Sequence, residues 1–165
     1  FMAMSAKEFK INYTRVGEPF LNIENVRRAI SWIDNSFDSP RPVMSGISTH
    51  HYISTIGIKG SDFSWIKDNI TLQISVHSLI EEKRNWLIPY NKKMSLEELG
   101  KIRTESNLKT TLNMTLVDEE DFDIDALKIL FDKESFFVKL SPINPNAVSD
   151  KNKLGRGAIK SINII

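Results

Sequence analysis

The sequence predicts an α/β fold in which a parallel sheet is built from alternating strands and helices. Three observations predict it. Short runs rich in β-branched and aromatic residues recur at 9–14, 51–57, 70–76, 108–116 and 136–140. Between them lie segments with apolar residues three and four apart, the spacing of a helix that buries one stripe. The length, 165 residues, suits one domain with a single core and not two. Strand and helical segment in strict alternation imply right-handed crossovers and therefore parallel strands. Spacing does not say whether such a sheet is open or part of a barrel.

The first strand, 9–14, is followed by Gly17-Glu18-Pro19 and then by a helical stretch, 25–33. Asn22 is a plausible N-cap for that helix, and Val26, Ala29, Ile30 and Ile33 form its apolar stripe. Residues 38–42, Asp-Ser-Pro-Arg-Pro, break it. After the second strand, Gly60-Ser61-Asp62 predicts a short helix through Ile66 with Ser61 as its cap, and the third strand ends at His77-Ser78. Residues 81–86 read as a charged helical turn closed by Pro89. Ser95 and Glu98 fit a capping box for a helix that carries Leu96, Leu99 and Ile102 and ends near Ser106. Past the fourth strand comes an acidic loop, 118–123, with Asp123 as cap for a helix over 124–131. The fifth strand runs into Ser141-Pro142-Ile143-Asn144, and residues 146–156 read as a polar, mobile loop.

Composition excludes several function classes. Apolar residues at 41% and charged residues at 26% are those of a folded globular chain. No apolar run approaches the roughly 18 residues a membrane helix needs, so no membrane partner is expected. A net charge of +1 makes no bulk electrostatic case for nucleic acid, so any basic patch must be local. With no cysteine, these residues can form neither disulfides nor thiolate metal sites. Three sequons occur without a signal peptide, and two fall in expected strands, which points to a cytoplasmic protein. Both ends look cut from a longer chain: it opens on Phe1 and closes in an apolar stretch.

Parallel order brings the strand ends to one side. Glu18 follows the first strand, Ser54 and Thr55 end the second, Ser75 and His77 end the third, and Asn144 follows the fifth. In parallel α/β folds that side is where ligands bind. A carboxylate can hold an ammonium, hydroxyls a carboxylate, and an amide a ribose or base edge. Gly17 lets backbone approach a ligand closely. Each residue taken singly is also what an ordinary solvated loop would show; the set is the stronger signal.

Five blocks then stand in a recognisable order. They are Gly17-Glu18-Pro19-Phe20-Leu21-Asn22, Ile53-Ser54-Thr55-Ile56-Gly57, Ile74-Ser75-Val76-His77-Ser78, Leu87-Ile88-Pro89-Tyr90-Asn91-Lys92-Lys93 and Leu140-Ser141-Pro142-Ile143-Asn144-Pro145. Over nearly the whole chain they resemble the radical S-adenosylmethionine enzymes that methylate adenine in ribosomal RNA. The resemblance implies a partial (β/α)6 barrel, with this chain as the C-terminal portion of its core, truncated at both ends. It implies S-adenosylmethionine as cofactor, with Gly17 and Glu18 at the methionine amino group. Ser54, Ser75 and His77 would line the carboxylate and ribose, and Asn144 would face the nucleoside. It further implies RNA and an external electron donor as partners, and a 5′-deoxyadenosyl radical in the full-length parent.

The departures are equally specific. The family's Cys-x-x-x-Cys-x-x-Cys loop, which holds a [4Fe–4S] cluster, belongs upstream of the Gly-Glu-Pro strand, and its methyl-carrying cysteine belongs beyond Ile165. Thr14-Arg15-Val16 replaces the usual Gly-Met, and the small-residue turn after Pro145 is missing. This portion alone is therefore expected to be inactive. Two alternatives stand beside the enzyme reading: a cluster-less nucleoside-binding module, and a radical enzyme acting on a peptide or small molecule.

Other features have plainer readings. Adjacent strand residues His50 and His51 point to opposite faces and cannot share a metal. Lys92-Lys93 and the group Lys151, Lys153 and Arg156 read as solvated charges, and so does the acidic loop. Trp32, Trp65 and Trp86 read as packing residues. The first strand should expose apolar surface.

Overall fold

The computed structural model describes residues 7–14, 17–37, 47–115, 117, 121–141, 143 and 147–151. The elements in chain order are β1 (Glu8–Tyr13), a 3-10 turn (Pro19–Asn22), α1 (Ile23–Phe37), β2 (Ser48–Thr55) and β3 (Ile70–Ser75). There follow α2 (Glu81–Leu87), α3 (Leu96–Gly100), β4 (Thr110–Thr115), α4 (Ile124–Leu130), β5 (Phe136–Ser141) and α5 (Ala147–Lys151). The five strands form one sheet in the order β1-β2-β3-β4-β5, and every neighbouring pair is parallel. Sequential order with parallel pairing means each crossover runs over the same side, as in a segment of a barrel wall.

The two faces differ sharply. On one, Ile53, Ile70, Leu72, Ile74, Leu112 and Met114 are buried beneath Ile30 of α1, Leu96 and Leu99 of α3, and Phe131 after α4. That layer is the core. The alternate residues turn to the other face, because successive strand side chains point oppositely. Tyr52 and Ser54, Thr71, Gln73 and Ser75, Asn113 and Thr115, and Lys139 and Ser141 lie there, none of them fully buried except for the near-buried Thr111 beside them. A parallel sheet normally has both faces covered. Here the core hydrophobics gather on one face, and the other is mostly polar, with Phe137 exposed on it.

Several sequence expectations change. The predicted helix capped by Ser61 does not form. Ser61 and Ile66 instead close separate turns onto Ile58 and Phe63, and Asp62 takes up both the N–H and the hydroxyl of Ser64. Asn22 is not a cap: the chain passes from the 3-10 turn straight into α1, and Glu18 caps that turn by accepting the Phe20 N–H. Pro19, just inside, costs the turn no hydrogen bond.

The capping box of Ser95 and Glu98 is present, but α3 stops at Gly100 instead of running to Ser106. There the α4 backbone comes so close that a Cβ on Gly100 would lie 2.0 Å from the Leu130 carbonyl oxygen. Asp123 caps α4 through the N–H groups of Asp125 and Ala126. Within the stretch read as a polar loop, residues 147–151 form a helical turn, and Ser149 is buried.

Trp32 and Trp86 are 72% and 60% exposed, so they are not packing residues; only Trp65 packs against the core, with the Arg27 guanidinium over its ring. In the acidic loop, Asp121 is fully buried against Lys83 at 2.9 Å, not solvated. Lys93 is also buried, because it pairs with Ile58 in an antiparallel bridge. As expected, β1 is an edge: among the described residues it pairs only with β2, and Phe9 is half exposed.

Candidate functional site

The site lies at the C-terminal ends of β1, β2 and β3. Gly17 has φ +78° and open space where a Cβ would stand, so the backbone there is left-handed and accessible. Glu18 reaches across to the end of β2. Its Oε1 accepts the Thr55 hydroxyl at 2.7 Å and the Phe20 N–H at 3.1 Å, while Oε2 accepts the Ile56 N–H at 2.9 Å. The carboxylate thus ties the turn after β1 to β2. Oε1 carries two bonds and Oε2 one, which leaves Oε2 with acceptor capacity.

Ser54, on the polar face, donates to Gln73 Oε1 at 3.1 Å, and Asn113 Nδ2 reaches the same oxygen at 3.5 Å. A row of amide and hydroxyl groups therefore crosses β2, β3 and β4 on that face. Ser75 ends β3, paired in register with Asn113, and is half-buried.

His77 breaks the strand. Its φ of +63° is uncommon for a residue with a Cβ, and it turns the ring back onto β4, where Nδ1 accepts the Thr115 N–H at 3.2 Å. That bond places the proton of the neutral ring on Nε2. Burial holds His77 below its ordinary value, the Arg84 charge adds to this, and Asp121 opposes it. A neutral imidazole offering one N–H suits a polar ligand oxygen.

Arg84 stands behind the site, fully buried. Its Nη1 donates to the Met94 carbonyl at 2.7 Å and its Nη2 to the Ile56 carbonyl at 2.9 Å. It thereby clamps the end of β2 to the segment after α2. Asn144 lies outside the described residues.

Gly17 and Glu18 meet the end of β2 near Ser54, and Ser75 and His77 continue that rim. Thr55, expected with Ser54 at the end of the second strand, is the residue that bonds Glu18; Gln73, Asn113, Thr115 and Arg84 were not singled out in the sequence. Period-2 polar residues along each strand, such as Thr71, Gln73 and Ser75, were the available signal for the polar face. Nothing in a run of charges distinguishes the buried Arg84 from its more accessible neighbours Glu81, Glu82 and Lys83.

The arrangement can bind, by ammonium-to-carboxylate and hydroxyl or imidazole contacts. It contains no nucleophile paired with a base. Nor does it fit an iron–sulfur cluster: the chain has no cysteine, and the described residues hold no group of three or more His, Cys, Asp or Glu able to bind a metal. His50 and His51 do diverge. His50 Nε2 meets Thr71 Oγ1 at 2.7 Å on the polar face, whereas His51 is buried opposite, 2.8 Å from Asp34 Oδ1 and 3.1 Å from the Tyr13 hydroxyl. No described helix is long and apolar enough to cross a membrane.

Comparison with known proteins gives a consistent set of relatives. The chain is 32% identical over 143 residues to the probable dual-specificity RNA methyltransferase RlmN of Thermosipho melanesiensis, covering 81% of this chain and 40% of that protein. The protein of the same name from Pseudothermotoga lettingae matches at 32% over 143 residues, again 81% of this chain and 40% of the relative. The one from Desulfitobacterium hafniense matches at 32% over 146 residues, 83% and 39%. The chain thus spans about two-fifths of the length of the curated relatives it matches. No protein-family profile and no solved structure matches it.

Proposed function

From its relationship to the radical S-adenosylmethionine RNA methyltransferases, which extends over 81% of its length, we propose that this chain is the cofactor-binding part of such an enzyme. The observation that carries the reading is a polar sheet face whose strand ends converge on one rim beside the Gly17-Glu18 turn. In this reading Gly17 and Glu18 take the methionine ammonium, with Oε2 of Glu18 as acceptor. Ser54, Ser75 and the Nε2–H of His77 bind the carboxylate and ribose hydroxyls, and Asn144 faces the nucleoside. When bound, S-adenosylmethionine supplies a sulfonium that can be cleaved reductively and a methyl group.

The residues here orient it and shape its surroundings; they supply no redox centre. The cluster thiolates and the external electron donor lie outside them, and the acceptor is RNA.

Calorimetric titration with S-adenosylmethionine tests this. Weak binding is expected in the chain alone, reduced about tenfold by His77→Asn, which keeps the left-handed backbone and loses the Nε2–H donor. Equal affinity, or none in either protein, overturns the pocket.

The rim can bind through its own donors and acceptors, which favours one second reading, a cluster-less module that binds nucleosides without catalysis. Sequencing the reading frame upstream of Phe1 separates them: a three-cysteine loop there supports the enzyme, and its absence supports the module. RNA binding at varied salt separates both from an enzyme acting on a peptide or small molecule.

A further inference from the structure

We propose that the cleft between the loop after β2 and the segment after α2 is a phosphate-binding site, and that the phosphate it takes belongs to an RNA backbone. The source of the phosphate rests on the RNA reading above; the site itself does not. The cleft holds about 450 Å³ and is lined by Lys59, Glu81, Asn85, Tyr90, Lys93 and Ser95 among others.

Its walls are fixed by backbone bonds. Ile58 pairs with Lys93, Lys59 N donates to the Lys92 carbonyl at 2.8 Å, and Met94 N donates to the Gly57 carbonyl at 2.8 Å. Arg84 adds its two bonds to Ile56 and Met94 across the same junction. The site is therefore formed before any ligand arrives, which lowers the ordering cost of binding.

Lys93 is the distinctive group. It is only 8% exposed, yet the one bond its ammonium makes is a long contact of 3.4 Å to the Tyr90 carbonyl. An ammonium has three donors, so two remain to face the cleft. The surrounding charges do not compensate. Burial and the nearby Arg84 and Lys59 disfavour its charge, and Glu81 favours it. Glu81 is already engaged, accepting the Leu96 N–H through Oε2 and lying 4.0 Å from Arg84 through Oε1. Lys59 has only a loose, exposed partner in Glu98 at 3.7 Å.

An anion with several acceptor oxygens would take the free Lys93 donors together with Lys59, the Asn85 amide and the Ser95 hydroxyl. The Ser95 oxygen accepts the Glu98 N–H, which leaves its own proton to donate. Phosphate carries several acceptor oxygens able to meet such donors. Arg84 lies near both regions: its charge acts on Lys93 in the cleft and on His77 in the candidate site. A phosphodiester held here would bring its nucleotide alongside that site.

The test titrates inorganic phosphate and a short single-stranded oligoribonucleotide into the chain and into Lys93→Gln and Lys59→Gln. Lys92→Gln, at an exposed position beside the cleft, controls for loss of one charge. Expected is a loss of RNA affinity of about tenfold for Lys93→Gln, with the slope of log affinity against log salt reduced by about 1. Lys59→Gln should weaken RNA severalfold, Lys92→Gln less, and phosphate should compete. Should Lys93→Gln fail to fold, the exposed Lys59→Gln carries the comparison. RNA binding indifferent to Lys59 and Lys93, or equally sensitive to Lys92, overturns the cleft and leaves the RNA reading standing. Phosphate binding that depends on Lys93, without RNA binding, keeps the cleft and overturns the RNA reading.

Discussion

His77 and Glu18 illustrate how single residues here serve both the fold and the candidate site. The fold favours neutral His77, whose folded value lies below its ordinary 6.5 through burial first and then the Arg84 charge. The unfolded chain therefore binds the proton at a higher pH than the folded chain does. Its stabilising contribution is full above about 6.5 and is lost as pH falls from there through the folded value. His50, depressed by burial in the same direction, adds to the effect. His77→Asn should flatten the decline, by at most about 1.4 kcal/mol per pH unit. Urea midpoints measured at about pH 7.5 and about pH 5.5 check it; an unchanged difference between them counts against the assignment. Glu18→Gln puts an amide donor against the Ile56 or Thr55 donors and should cost about 1–3 kcal/mol, read as a lower urea midpoint.

At the scale of elements, two junctions hold the sheet ends in place. Arg84 satisfies the carbonyls of Ile56 and Met94 from a fully buried position on α2. Arg84→Met leaves both carbonyls unpaired and should destabilise by roughly 2–4 kcal/mol. Arg84→Lys, a point donor in place of a fork, should recover little of it. Denaturant unfolding of the two variants decides between a clamp and a merely buried aliphatic stem. The other junction is Gly100, where α3 meets the α4 backbone. A methyl there collides with a carbonyl that cannot rotate away, so Gly100→Ala should cost about 1–3 kcal/mol and shift thermal unfolding down. Ser95→Ala removes half of the capping box on the same short helix and should cost about 1 kcal/mol. If Gly100→Ala proves milder than Ser95→Ala, the close approach of α3 and α4 is wrong.

At the scale of the whole molecule, the sheet is a wall with one apolar face and one polar face, bounded by β1 and β5. Among the described residues β1 pairs with no strand but β2, and beside that edge the half-exposed Phe9 stacks on Phe37. Such an edge templates strand addition. Concentration-dependent association by light scattering is expected, reduced by Phe9→Lys; a particle size independent of concentration in both proteins would remove the edge as its cause.

The alternation of strand and helical patterns was enough to determine the fold class, because period-2 and period-3.6 burial leave local marks in the chain. The caps at Ser95 and Asp123 were legible for the same reason: their bonds close within three residues. The rim residues Glu18, Ser54, Ser75 and His77 were legible because parallel order sends every strand end to one side. Only the tertiary structure decided the rest. The end of α3 depends on α4, and the burial of Arg84, Lys93 and Asp121 on partners between 10 and 38 residues away. A charged side chain carries the same local pattern whether it is solvated or enclosed. What encloses it arrives from elsewhere in the chain.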